Sequence, residues 1–187
     1  MNTIYKPADE AGIAAAADII SAGGVAVFPT DTVYGVGSLA WDEQVVAKLY
    51  AAKGRDFSKP IPVLVSSSGA VDQVANLELL PLAMRPLAEL LMQAFWPGGL
   101  TIVLPRDGGL PDRLTAGGAT VGVRMPNHPI TLALLDRCGG ALAATSANRS
   151  GNPSPTNAAT ARAELDGLVD IILDGGPTPG GVESTVI

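Results

Sequence analysis

Apolar positions along this chain fall into two patterns, helical stripes and short unbroken runs, and the two take turns from one end to the other. Ala8 to Ser21 carries a helical stripe that Gly23 and Gly24 end, and Val25 to Phe28 is a short buried strand that stops at Pro29. The spacing of Val45, Val46, Leu49 and Tyr50 predicts a helix from Asp42, its cap, to Ala52. Ile61 to Val65 then reads as a strand, and helices are predicted near Ala70 to Leu77 and from Pro86 to Phe95, with proline suited to the first turn. Strands at Leu100 to Leu104 and Ala119 to Met125, a helix at Pro129 to Arg137, a strand at Leu142 to Thr145 and a helix near Asn157 to Leu165 follow. Strands at Val169 to Leu173 and Ser184 to Ile187 close the chain.

Short apolar strands with little alternation imply a sheet covered on both faces, hence a three-layer α/β arrangement. No helix separates the strand at Leu100 from that at Ala119, so the sheet is predicted to be twisted and mixed, with helices flanking it. At 187 residues the chain is expected to form one domain, residues 1–187. A hydrophobic fraction of 47% against 16% charged residues places it far from disorder. Its first residues lack a basic start followed by an apolar run, and Arg85 and Glu89 interrupt the best membrane-span candidate. A cytoplasmic protein without a membrane partner is expected.

Charge changes the picture. The formal net charge is −6, yet Lys48, Lys53, Arg55 and Lys59 face only Asp56 in their stretch, and five arginines between 113 and 162 face only Asp136. Concentrated cations on an acidic protein suggest a small anionic ligand more than a nucleic-acid surface. Lys53 and Arg55 flank Gly54 at a predicted helix end, where cations are favourable even without a ligand. Lys59 before Pro60 adds a third cation on a stiff segment, which suits a polyphosphate.

Phe28 to Gly37 leaves a buried strand and at once supplies two threonines, an aspartate and a tyrosine, as a ligand crevice would, although a capped turn has the same composition. Thr145 to Thr156 is equally ambiguous, a phosphate- or ribose-binding loop or a solvated turn. Neither the Walker loop nor the dinucleotide fingerprint occurs. Arg124 at a strand end is a surface residue or a carboxylate fork. His128 and Cys138 are single, read as a helix-start residue and a packed thiol, so a histidine-rich metal site has no material. Trp41 and Trp96 are read as packing residues.

Taken together, Pro29-Thr30-Asp31-Thr32-Val33-Tyr34-Gly35, Lys53-Gly54-Arg55, Lys59-Pro60, Trp96-Pro97-Gly98-Gly99-Leu100-Thr101, Val123-Arg124-Met125-Pro126, Ser146-Ala147-Asn148 and Glu183-Ser184-Thr185-Val186 resemble the Sua5/YciO/YrdC family. The resemblance spans residues 24 to 187 and implies a YrdC/RibB-like fold. It also implies a threonylcarbamoyl-AMP synthase, a nucleotidyltransferase making threonylcarbamoyl-adenylate and pyrophosphate from L-threonine, bicarbonate or CO2, and ATP. The product would pass to downstream transfer proteins that form N6-threonylcarbamoyladenosine at position 37 of tRNA, with direct tRNA binding weak. By position, Thr32, Arg124, Ala144 and Ser184 would hold threonine. Arg55, Lys59, Thr120, Ser146, Asn148 and Ser154 would hold ATP, Lys53 and Arg55 would be catalytic, and Mg²⁺ is expected on the phosphates with no protein ligand assigned.

Two departures from the family pattern stand out. Leu64 occupies the place where members commonly carry a histidine, which bears on substrate choice. The comparison also implies that a further strand bearing an arginine is missing after Ile187, as is the second domain of longer members. Two other readings remain open: carbamoyl-adenylate chemistry, as in related carbamoyltransferase and hydrogenase-maturation domains, and a non-catalytic RNA-binding module.

Overall fold

In a computed structural model, described here for residues 2–187, the elements run β1 (Ile4–Pro7), α1 (Glu10–Ser21), β2 (Ala26–Phe28), β3 (Gly35–Ser38), α2 (Glu43–Lys53), β4 (Val63–Val65), α3 (Arg85–Phe95) and β5 (Leu100–Pro105). They continue through α4 (Asp112–Thr115), β6 (Thr120–Arg124), α5 (Pro129–Arg137), β7 (Ala141–Ser146), α6 (Ala158–Leu165), β8 (Ile171–Asp174) and β9 (Thr185–Val186). The strands form one sheet in the order β1-β8-β2-β3-β7-β4-β6-β5-β9. Parallel pairs (β1 with β8, β2 with β8, β4 with β6, β5 with β9) and antiparallel ones (β2 with β3, β3 with β7, β4 with β7, β5 with β6) share the sheet, so the expected mixed α/β sheet is present. No helix among the described residues is long and apolar enough to cross a membrane.

Alternation along each strand divides the core in two. Val27, Val36, Val63, Val123 and Ala143 pack with α2, α3, α4 and α6, whereas Ala26, Phe28, Leu64, Leu142, Ala144 and Leu173 pack with α1 and α5. Helices thus cover both faces as expected, although on this second side they leave part of the sheet open. Helices α1 and α5 lie over β8, β2, β7 and part of β4, and beyond Leu64, which touches both, the alternate positions of β5 and β6 on that face, Thr101, Val103, Thr120, Gly122 and Arg124, line a cavity with Pro62. The sequence carried a trace of this, because Thr120-Val121-Gly122-Val123 alternates with period two.

Other differences are local. Two separate 3-10 turns, Ser68–Gln73 and Leu77–Leu79, replace the helix predicted near Ala70 to Leu77. β1, β3 and α4 were not anticipated. Helix α2 ends as expected at Gly54, whose left-handed φ of 58° favours glycine.

Candidate active site

The cavity, about 470 Å³, lies over the exposed half of the sheet. That is ample for a small ligand and a substantial part of a nucleotide. Of the residues singled out from sequence, Thr32, Arg55, Thr120, Arg124, Ala144, Ser146 and Ser184 line it. Lys53, Lys59, Asn148 and Ser154 do not.

At one corner Arg124 is buried, and each of its three nitrogens already has a partner. Nε donates to Gly98 O at 2.9 Å, Nη1 to Thr32 Oγ1 at 2.9 Å and Nη2 to Asp31 at 2.5 Å. Burial lowers the Arg124 pKa from its ordinary value, and the Asp31 carboxylate opposes that shift. A guanidinium has five N–H donors, so one on each terminal nitrogen remains for a ligand, the fork that suits a carboxylate. Thr101 and Ser184 share a hydroxyl hydrogen bond of 2.8 Å on another part of the wall. Gly180 closes this corner from outside: a Cβ there would lie 2.7 Å from Asp31 O and 3.1 Å from Thr32 Cα. Only glycine lets the 175–181 segment rest so close, and Gly181 N donates to Thr32 O at 2.8 Å.

At the other end Arg55 donates from Nε to Lys59 O and from Nη2 to Pro60 O, which stiffens its loop and leaves further N–H groups uncommitted. Lys59 is exposed, and its carbonyl rather than its ammonium is engaged, by Arg55 and by Tyr50 Oη. Lys53, expected to stand in the site, is instead buried behind it at 2% exposure. Its ammonium donates to Ser146 O and reaches Asn148 Oδ1 at 3.5 Å. Burial, aided by Arg55, lowers its pKa to about 8. Asn148, also buried, donates to Arg149 O and Asn152 O, so it braces its own loop. Glu164 accepts from Arg149 N and Asn152 Nδ2 and holds the same loop from α6. Ser154 reaches the wall only through Glu183, to which it donates at 2.5 Å.

Sequence reading did not single out Thr30, Thr101 or Asp31 as separate functional groups. Each sat in a quoted motif, but its partner is distant in sequence, so only the fold reveals the contact. The thiol of Cys138 is buried, and its pKa is raised to about 11 by desolvation, as suits a packed, unreactive group.

A cavity with an arginine fork at one end and an arginine with small hydroxyls at the other can hold two anionic groups side by side. The family model Sua5_yciO_yrdC, described as "Telomere recombination", matches residues 18–187, and the chain belongs to that family. It is 46% identical over 176 residues to a threonylcarbamoyl-AMP synthase of Bacillus subtilis, covering 94% of this chain and 49% of that protein. A threonylcarbamoyl-AMP synthase of Pyrococcus abyssi is 43% identical, with 96% of this chain and 51% of that protein covered. The chain thus spans about half the length of these curated relatives. Among solved structures, P. abyssi Sua5 complexed with L-threonine superposes with a TM-score of 0.90 at 41% identity, covering all of this chain and 53% of that one. Escherichia coli YciO superposes with a TM-score of 0.84 at 25% identity, covering all of this chain and 90% of that one.

Proposed function

We propose that this chain forms threonylcarbamoyl-adenylate from L-threonine, CO2 or bicarbonate, and ATP, as a nucleotidyltransferase serving tRNA modification. The observation that carries the reading is the single cavity joining the Arg124 and Thr32 corner to the Arg55 and Ser146 end. The B. subtilis relative's name and the threonine complexed with P. abyssi Sua5 support the same assignment. The neutral amine attacks CO2, forming the N–C bond and releasing a proton. A carbamate oxygen then attacks the α-phosphorus, and pyrophosphate leaves.

Neither step needs a protein nucleophile, so the chain's work is to position the reactants and stabilise charge. Arg124 receives the amino-acid carboxylate. Arg55, with the hydroxyls of Thr120 and Ser146, receives the nucleotide, and Lys53 and Asn148 hold the Ser146 loop in place from behind. Lys59 and Ser154 stand outside the wall and supply long-range charge and a tether to Glu183, respectively. Among the described residues no three carboxylate, histidine or cysteine side chains gather as a metal cage. Glu183 is the one carboxylate on the cavity wall. That donor set fits a Mg²⁺ carried mainly by the phosphates, whose chemistry would be to neutralise their charge.

Purified protein given L-threonine, bicarbonate, ATP and Mg²⁺ should release pyrophosphate and accumulate the adenylate, read by mass spectrometry. Replacing Arg55 by Ala should lower the rate about 10²-fold, the scale of losing an electrostatic donor to a developing charge. Formation of product from carbamoyl phosphate and ATP but not from threonine and bicarbonate would overturn the assignment.

A further inference from the structure

The hydrogen bonds at the amino-acid corner have only one consistent direction. Thr30 Oγ1 lies 2.7 Å from Val33 O, which can only accept, so the Thr30 hydroxyl spends its proton there. Its oxygen also accepts from Thr32 N at 3.1 Å. At the 3.0 Å contact between the two hydroxyls, Thr32 must therefore be the donor and Thr30 the acceptor. The remaining neighbour of Thr32 Oγ1 is Arg124 Nη1, a group that only donates. Thr32 has thus used its proton and one lone pair, and what it shows the cavity is a single acceptor.

The placement of Arg124 depends in turn on Asp31. Its carboxylate holds Arg124 Nη2 and is itself largely buried, at 14% exposure, with no place on the cavity wall. Without it the guanidinium keeps its bonds to Gly98 O and Thr32 but loses its anchor at Nη2, one of the two arms of the fork.

We propose that Asp31 is a positioning residue that holds the Arg124 fork toward the ligand's carboxylate, beside a Thr32 hydroxyl that Thr30 and Val33 O leave able only to accept from the ligand's amine. The proposal deepens the threonine-site reading above and rests on it. Two chemical consequences follow. The corner matches an α-amino acid, whose acceptor and donor groups sit on one carbon. The amine also meets a neutral hydroxyl rather than a carboxylate, because Asp31 faces Arg124 and lies off the cavity wall, so the amine's immediate partner does not favour the ammonium over the neutral nucleophile.

Calorimetric binding of L-threonine, of 2-aminobutanoate, which lacks the side-chain hydroxyl, and of 3-hydroxybutanoate, which lacks the amine, separates the roles. Thr32→Val should weaken both amino acids roughly tenfold, the scale of one lost hydrogen bond in a buried site, and weaken 3-hydroxybutanoate less, since for that ligand only the Arg124 Nη1 contact is disturbed. Asp31→Ala should weaken all three, because it displaces Arg124. In turnover it should raise the KM for threonine while leaving kcat and the KM for ATP near wild type. Asp31→Asn keeps an acceptor oxygen and should recover part of the loss. Should Asp31→Ala fail to fold, Thr32→Val and Asp31→Asn still decide the matter. Equal losses for 3-hydroxybutanoate and the amino acids in Thr32→Val, or a loss confined to threonine, overturn the proposed polarity and leave the amino-acid site standing. If the wild type binds none of the three, the function reading falls with it.

Discussion

Lys53 is the residue whose role changed most between sequence and structure, and the reason lies in its spacing. Val46, Leu49, Tyr50 and Lys53 recur at i, i+3, i+4 and i+7 and share the buried stripe of α2. A lysine on that stripe is drawn inward even though it sits at a helix end, where exposed cations are common. Its pKa of about 8 against an ordinary 10.5 ties stability to pH. Below pH 8 both folded and unfolded chains hold the proton, and the full cost of burying the charge is present. Between about 8 and 10.5 only the unfolded chain holds it, so stability rises with pH across that window. Lys53→Met should abolish this rise. Denaturant unfolding of wild type and variant at pH 7, 9 and 10 gives the difference, in which the tyrosine and cysteine titrations common to both cancel. A parallel pH response in the two proteins would show that Lys53 is not the buried titrating group.

At the scale of elements, the sequence was most legible where a stripe or run was long. Helices α1, α2, α3, α5 and α6 lie close to where periodicity put them, and so do β2, β4, β5, β6 and β7. Strand β3 was hidden because Gly35-Val36-Gly37-Ser38 has the composition of a turn. Its glycines serve close packing instead: a Cβ on Gly37 would meet Ala143 O at 2.7 Å and the Phe28 ring at 3.2 Å. The motifs were legible as motifs, but how they are assembled was not. Nothing in Pro29 to Gly35 or Val123 to Pro126 says that Asp31 meets Arg124, a contact between residues 93 apart in sequence. The 175–181 segment carries a prediction of its own. Gly180→Ala puts a methyl group against backbone that cannot rotate away, so the segment must lift from Thr32. We expect a stability loss of about 1–3 kcal/mol, typical of overpacking. A several-fold rise in the KM for threonine should accompany it, with the KM for ATP unaffected. Thermal unfolding and steady-state kinetics measure the two, and an unchanged threonine KM would show that the segment does not shape that corner.

Across the whole molecule, the distribution of charge decides between a small anionic substrate and a long polyanion. The net charge is −6, and of the cations singled out from sequence only Arg55 and Arg124 stand on the cavity wall. Arg124 is paired with Asp31, Arg113 lies near Glu43 at 3.5 Å, Arg137 near Glu10 at 3.6 Å and Arg162 near Asp166 at 3.7 Å. Four of the five arginines from 113 to 162 thus have a carboxylate within 4 Å, which offsets most of the second sequence cluster's charge. An RNA-binding module needs a basic face, because affinity for a phosphate backbone grows with the number of phosphates neutralised together. This chain alone should therefore bind tRNA weakly, with a dissociation constant no tighter than about 10⁻⁵ M at physiological salt, within the range of non-specific association. Fluorescence anisotropy of labelled tRNA at 50 and 200 mM salt tests this directly. Adding tRNA at these concentrations should also leave ATP affinity unchanged if, as proposed, the Arg55 end of the cavity takes a single nucleotide. Tight, salt-sensitive tRNA binding that ATP displaces would instead mean that the cavity cations serve a polyanion, and the small-substrate reading of the charge pattern would be wrong.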